Sequence, residues 1–336
     1  MNSSKDGLWN TDFSHIYVER KAADHPRAKR ILSRLKNSRL IEIGHYKDVF
    51  CRSRQSFRLQ KHSPKLILAV KEGNLLYKGA RVCQDFGNHH FYYTSCVMNC
   101  PYDCEYCYLQ GMYPSANIVI FVNLEDIFLD VEKLLKSHPV YLCISYDTDL
   151  LALEGITGFV SSWLGFASRH DSLVIELRTK SANFNAIKDI PPLDNVILAW
   201  TLSPVEVIHD YEEGTPSLQA RLKSIKRAVD RGWKVRLCFD PIIFTRDWKR
   251  QYGACVKEVF EELSPDSIHD VSLGVFRISK EYLKRIHKDR PNSLVFAYPF
   301  EEREGVCTYS SGHTKEMRDF LYSEISRYIP GDKIYF

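Results

Sequence analysis

The chain has 336 residues, 44% of them hydrophobic and 26% charged, with a formal net charge of +4. That balance excludes a disordered or fibrous chain and leaves room for one large domain with an appendage. Ten cysteines spread over this length, a leading segment (residues 1–7) without an apolar core, and no run of about 18 uncharged apolar residues exclude a small disulfide-stapled secreted domain and a membrane span, so reduced thiols and a cytoplasmic protein with no membrane partner are expected.

Residues 1–88 read as a basic α+β region. In residues 25–35, Ala28, Ile31, Leu32 and Leu35 recur at helical period opposite a basic face, and residues 40–43 and 66–70 read as short strands. Arg20, Lys21, Arg27, Lys29, Arg30, Arg34, Lys36 and Arg39, then Arg52, Arg54, Arg58, Lys61 and Lys65, could meet phosphates or form a solvated helix face; charge alone does not choose. Cys51 and Cys83 read as small core residues or inert thiols rather than ligands.

From residue 89 to 289 strands alternate with helices. Residues 90–97, rich in aromatic and β-branched side chains, form the first strand and lead into a cysteine loop, and residues 125–136 form a helix with Ile127, Phe128, Val131, Leu134 and Leu135 on one face. Strands then follow at 140–145, 173–177, 196–202, 234–239 and 271–276, with helices at 156–167, 217–231, 248–263 and 280–287 and a shorter helical stretch after the third strand. Six β-α units predict an α/β fold, a partial (β/α)6 TIM-like barrel, followed by an extension over residues 290–336 that packs on the barrel. Within that extension, residues 305–312 read as a hairpin or a plain connection, and 313–328 as an amphipathic helix.

The cysteine loop carries the strongest chemical signal. Cys100, Cys104 and Cys107 fall at a C-x3-C-x2-C spacing, which is not one of the common zinc patterns. Three thiolates from one loop suit a [4Fe-4S] cluster with one iron left open, which points to chemistry beyond electron transfer. Barrels collect their chemistry at the C-terminal ends of strands, and the polar residues there are Tyr146, Asp147, Thr148 and Asp149, Arg178, Thr179 and Lys180, Thr201 and Ser203, Asp240, and Arg277.

This cysteine spacing at the head of a six-fold β-α repeat resembles the radical S-adenosylmethionine superfamily. More closely, Cys104-Glu105-Tyr106-Cys107-Tyr108-Leu109-Gln110, Phe121-Val122-Asn123-Leu124-Glu125-Asp126-Ile127, Thr179-Lys180, Glu212-Glu213-Gly214-Thr215 and Asp240-Pro241-Ile242 are similar, in order, to the spore photoproduct lyase family. The similarity runs from about residue 60 to the C-terminus. It implies a carbon-carbon lyase of DNA repair in which S-adenosylmethionine binds the open iron and yields a 5'-deoxyadenosyl radical. That radical takes hydrogen from a pyrimidine photolesion, of spore photoproduct type or a cytosine-containing relative, and a cysteine returns hydrogen to the product. Tyr106 and Tyr108 occupy the positions of tyrosines that pass the radical back. Lys180, Thr148 and Thr201 match cofactor contacts, and Ser203 is grouped with them. Implied partners are double-stranded DNA carrying the lesion, met also by Arg246, Lys249, Arg250, Lys284, Arg285, Lys288 and Arg290, and a flavodoxin- or ferredoxin-type electron donor.

One departure stands out. Laid on the family's Ser-Cys-Thr-Ser-Asp pattern, the hydrogen-donor cysteine falls on Tyr146; Cys307 and Cys143 are the next candidates. Two other readings therefore stay open: a radical enzyme of the same scaffold acting on another nucleotide, RNA or a peptide, and a non-catalytic lesion- or metal-binding protein.

Overall fold

The computed structural model describes residues 13–80 and 83–336, and the leading residues 1–7 lie outside these. Six strands follow one another in chain order: β1 (Phe91–Thr94), β2 (Val140–Cys143), β3 (Leu173–Thr179), β4 (Val196–Thr201), β5 (Lys234–Ile242) and β6 (Asp270–Val275). Each lies parallel to the next. They are the six expected strands, except that the first, expected over residues 90–97, ends at Thr94, and Val97 pairs in a second sheet; their chemistry makes them legible. β2 and β4 are buried at every position, as unbroken apolar runs are when a parallel sheet is covered on both faces. The sheet is an open, partial barrel. Ile334–Tyr335 adds a parallel strand outside β6, and Leu76–Lys78 an antiparallel one outside β1.

A second sheet has the order Arg39–Ile43, His15–Glu19, Leu66–Ala69, Ile118–Phe121, Val97–Met98. Hydrogen bonding therefore crosses residue 88 twice, through Leu66–Ala69 with Ile118–Phe121 and through Leu76–Lys78 with β1. The strands His15–Glu19 and Ile118–Phe121 were not expected, nor was the helix Val205–Tyr211 after β4.

The helix expected over residues 156–167 is instead two, Leu150–Thr157 and Phe159–Ala167, meeting at 101°. Gly158 takes φ +65° at the junction, a conformation with little penalty only for glycine. The Glu154 carboxylate accepts from the Val160 and Ser161 amides at 2.7 and 2.9 Å, which satisfies the second helix's free N–H groups. No single helix among the described residues is long and apolar enough to cross a membrane; this bent pair passes only in combination, and its apolar side chains are buried in the core.

Several basic side chains of the N-terminal region have partners inside the fold. Arg30 donates to the Thr157 carbonyl at 3.1 Å, and Arg34 to those of Gly155 and Ile156 at 2.9 Å, closing the C-terminal end of the first of these helices. Arg27 pairs with Glu125, Arg20 with Glu42 and Lys21 with Glu72. At the other end of the chain, Glu301–Arg303 and Val306–Thr308 form a hairpin, joined by Arg277–Ser279 as a third strand, before the helix Ser311–Ile325. The segment is a hairpin, not a plain connection.

Candidate active site

A cavity of about 550 Å³ opens at the C-terminal ends of the barrel strands. Cys100, Cys104 and Cys107 line it together with Tyr106, Tyr108, Tyr146, Thr148, Lys180, Thr201 and Cys143. Ser203 and Cys307 are not among its lining residues. Ser203 is buried and donates to Glu212 at 2.9 Å. On the hairpin strand it is Val306 that faces the cavity, so Cys307, the next residue, points to the opposite face by strand alternation.

Three separate parts of the chain hold the cysteine loop. From the N-terminal region, the buried Lys61 ammonium donates to the Cys100 and Tyr102 carbonyls at 2.7 and 2.5 Å. From the barrel, Glu212–Glu213 pairs antiparallel with Asp103–Cys104, and the Glu105 amide donates to the Tyr211 carbonyl at 2.7 Å. From the C-terminal extension, Arg290 donates to Asp103 and Gln110 at 2.7 and 2.6 Å, and Ser293 to Glu105. Arg290 therefore supports the loop from within instead of facing a phosphate.

The short helix Leu109–Met112 continues the loop and lies against Lys280–Asp289. Gly111 makes that approach possible, because a Cβ there would sit 2.5 Å from Tyr282 Cβ and 2.6 Å from its backbone. Gly111→Ala is expected to force the two helices apart and lower stability by about 1–3 kcal/mol, the usual cost of overpacking, read as a fall in thermal midpoint.

Behind the loop, Tyr106 donates its hydroxyl to Glu212, and Glu212 is ion-paired with Arg221, both side chains being fully buried. Lys180 lies 4.0 Å from Glu212 and over the Tyr106 ring at 5.3 Å. Burial alone works against its charge, but its pKa is held up, with the ionised Glu212 carboxylate among the causes. Burial pushes the Cys100 thiol up to about 12, with Asp149 adding to the shift and Lys61 opposing it. Burial also raises Cys104, against Lys180. Such thiols keep their protons until a metal displaces them.

The thiols and their surroundings fit the expected groups. Three thiols on one loop, one for each of three irons, suit a polynuclear cluster, and all three line the cavity. Thr148 Oγ1 lines the same cavity and is buried without a hydrogen-bond partner, an orphan that a polar cofactor would satisfy. Asp149 instead serves the fold: it accepts from Thr179 Oγ1, the Lys180 amide and the Ala152 amide at 2.7–3.0 Å, capping the helix Leu150–Thr157.

Also lining the cavity, Tyr108 donates to the Tyr146 carbonyl at 2.7 Å. Tyr146 stacks on Tyr93 with centroids 4.1 Å apart, and its hydroxyl lies 3.5 Å from Cys83 Sγ. Cys83, read from sequence as an inert thiol, is a lining residue; only the fold brings it to Tyr146, 63 positions away. The floor carries paired charges: Arg277 and Arg178 both meet Asp240, at 3.0 and 3.4 Å, and Glu176 binds Arg236 at 2.6 Å.

Comparison with known proteins gives a consistent result. The family model described as spore photoproduct lyase matches residues 12–336. The chain is 21% identical over 337 aligned positions to the spore photoproduct lyase of Clostridium acetobutylicum, covering 94% of this chain and 96% of that one. It is 20% identical to the enzyme of Bacillus subtilis, with 95% and 96% coverage. Among solved structures it is similar to spore photoproduct lyase complexed with dinucleoside spore photoproduct (TM-score 0.81, 19% identity, 96% and 97% coverage). A mutant of such a lyase with bound AdoMet and dinucleoside spore photoproduct gives the same values.

Proposed function

The chain belongs to the spore photoproduct lyase family, and from that premise we propose that its cavity reverses a pyrimidine photolesion of the spore photoproduct class by radical S-adenosylmethionine chemistry. The observation that carries the reading is the meeting, in one cavity, of the three loop thiols with Thr148, Lys180, Tyr108 and Tyr146. Cys100, Cys104 and Cys107 would hold a [4Fe-4S] cluster, with Thr148, Lys180 and Thr201 beside the cofactor. When bound, cluster and cofactor supply the carbon radical that starts the reaction.

The protein's own part is to seat, shield and hand over. Phe91, Tyr93, Tyr146, Phe276 and Tyr282 line the cavity with aromatic surface on which a base swung out of its stack could lie. Lys61, Arg290 and the Glu212–Glu213 ladder fix the loop so that its thiols keep one geometry. Tyr106, with its hydroxyl committed to buried Glu212, braces the loop, while Tyr108 faces Tyr146. The three sequence regions, 1–88, 89–289 and 290–336, serve as cradle, reaction chamber and rim.

For duplex DNA, the phosphate contacts we favour are Arg58 and Lys288. Both are exposed, and their helices adjoin where the Phe57 amide donates to Asp289 at 3.1 Å. Lys249 and Arg250 are already paired with Glu316 and Glu206, and the rim hairpin carries Glu301, Glu302 and Glu304 against Arg303. Replacing both Arg58 and Lys288 by Ala is expected to lower the slope of log affinity against log salt by about 2, near 0.9 per phosphate. An unchanged slope would place the DNA elsewhere. An electron donor of flavodoxin or ferredoxin type remains part of the proposal.

The test of function is to incubate anaerobically reconstituted enzyme, reductant and S-adenosylmethionine with dinucleoside spore photoproduct and look for restored thymine by mass spectrometry. Tyr146 at the donor-cysteine position favours one second reading, a different nucleotide, RNA or peptide substrate. It predicts 5'-deoxyadenosine formation without restored pyrimidine.

A further inference from the structure

We propose that Cys83 is the residue that returns a hydrogen atom to the product in this chain, and that Tyr146 reloads it. The inference rests on the lyase reading above and supplies the group that reading lacks, since a tyrosine occupies the place of the donor cysteine.

Three thiols compete for the role. Cys307 faces away from the cavity because Val306 on the same strand faces into it. Cys143 lines the cavity but is buried at the end of β2, three residues before Tyr146. It is paired in the sheet with Tyr93 and Glu176. Cys83, which precedes β1 in the chain, is only partly buried and places its sulfur 3.5 Å from the Tyr146 hydroxyl. The next side chain, Gln84, anchors this stretch by donating to the Phe336 carbonyl at 2.6 Å.

Tyr146 is poorly placed to act alone. Its ring lies stacked 4.1 Å from Tyr93, and its hydroxyl is directed at Cys83. The same residue meets Tyr108, whose hydroxyl donates to the Tyr146 carbonyl at 2.7 Å with ring centroids 6.0 Å apart. Tyr108, Tyr146 and Cys83 thus form one contiguous series of contacts, beginning next to Cys107 and ending at the Cys83 thiol. Tyr106 lies outside this series, bound to Glu212.

The exchange balances. The product radical breaks the Cys83 S–H bond and gains a C–H bond, leaving a thiyl. The thiyl takes the Tyr146 phenolic hydrogen across the contact, which restores the thiol and leaves a tyrosyl. The Tyr146 tyrosyl regains its hydrogen from the hydroxyl of Tyr108, whose ring centroid lies 6.0 Å away, and the hydrogen first removed from the lesion, which the cofactor would hold when bound, would make good the deficit on Tyr108. No electron enters or leaves over the cycle.

Two measurements test this. With reconstituted enzyme and dinucleoside spore photoproduct, Cys83→Ser is expected to lower restored thymine at least tenfold, replaced by radical-trapped adducts, at an iron content equal to wild type. Tyr146→Phe is expected to lower the yield toward one repaired dinucleoside per enzyme. Full recovery of thymine by Cys83→Ser overturns the proposal. In the full chain without cluster or cofactor, photo-oxidation with a ruthenium tris-bipyridine sensitiser and a nitrone trap, followed by peptide mapping, is expected to mark Cys83 in wild type and at least fivefold less in Tyr146→Phe. Marking of Cys143 in preference, or equal marking of Cys83 in both proteins, overturns it. If no protein, wild type included, restores thymine while Cys83 is marked through Tyr146, it is the lyase reading that fails, and the exchange between thiol and phenol stands.

Discussion

Cys104→Ala is expected to reconstitute as a colourless protein with less than about one iron per chain, and to cleave S-adenosylmethionine at least about 100-fold more slowly than wild type. The size of the effect follows from where the residue sits. Of the three loop thiols, Cys104 is the most deeply set, and its backbone is the one paired with Glu212. The loop around it is fastened by Lys61, Arg290 and Ser293, so a neighbouring side chain cannot swing in as a replacement ligand. The control is Cys51→Ala, which removes an exposed thiol outside the cavity and should leave iron content and cofactor cleavage as in wild type. Iron and sulfide analysis after anaerobic reconstitution, with 5'-deoxyadenosine measured by chromatography, reads both. A Cys104→Ala protein that stays brown would remove the cluster reading.

What could be read from the chain beforehand divides along a physical line. β2 and β4 announce themselves because a strand covered on both faces must be apolar throughout, and the cysteine loop does so because cluster ligands come from one short stretch. Cys83 could not be found this way. A thiol becomes a reactant through what it touches, and its partner Tyr146 lies on another strand end. Arg30 and Arg34 show the same limit for charge, since sequence records two cations but not that helix-end carbonyls receive them. Cys307 shows it for facing: one step along the hairpin, from Val306 to Cys307, exchanges the cavity for the core. Ile118–Phe121, four buried apolar residues, is too short a run to carry a period of its own.

The pair behind the loop carries the second large effect. Arg221→Met is expected to destabilise the cluster-free protein by about 3–5 kcal/mol near neutral pH, measured by urea unfolding, because it leaves the Glu212 carboxylate buried without its partner. Glu212 would keep only the Tyr106, Ser203 and Thr215 hydroxyls and the more distant Lys180. The acid dependence identifies the cause. Burial by itself would raise the Glu212 carboxyl, yet Arg221, then Lys180, hold it down from its ordinary 4.5 to about 2. A folded-state pKa below the unfolded one means stabilisation that is present above 4.5 and lost as pH falls through the folded value. A shift of this size corresponds to about 3 kcal/mol. The stability gap between wild type and Arg221→Met should therefore be widest at neutral pH and narrow steadily between about pH 4.5 and 2, while other carboxylates, common to both proteins, cancel in the difference. Restoring a neutral pair with Glu212→Gln in the Arg221→Met background should recover much of the loss, since the unpaired charge is gone. A gap that does not change with pH would mean that Arg221 acts through packing and through its bond to the Thr201 carbonyl, 3.1 Å away, instead of through the carboxylate of Glu212, the residue whose backbone is paired with Cys104.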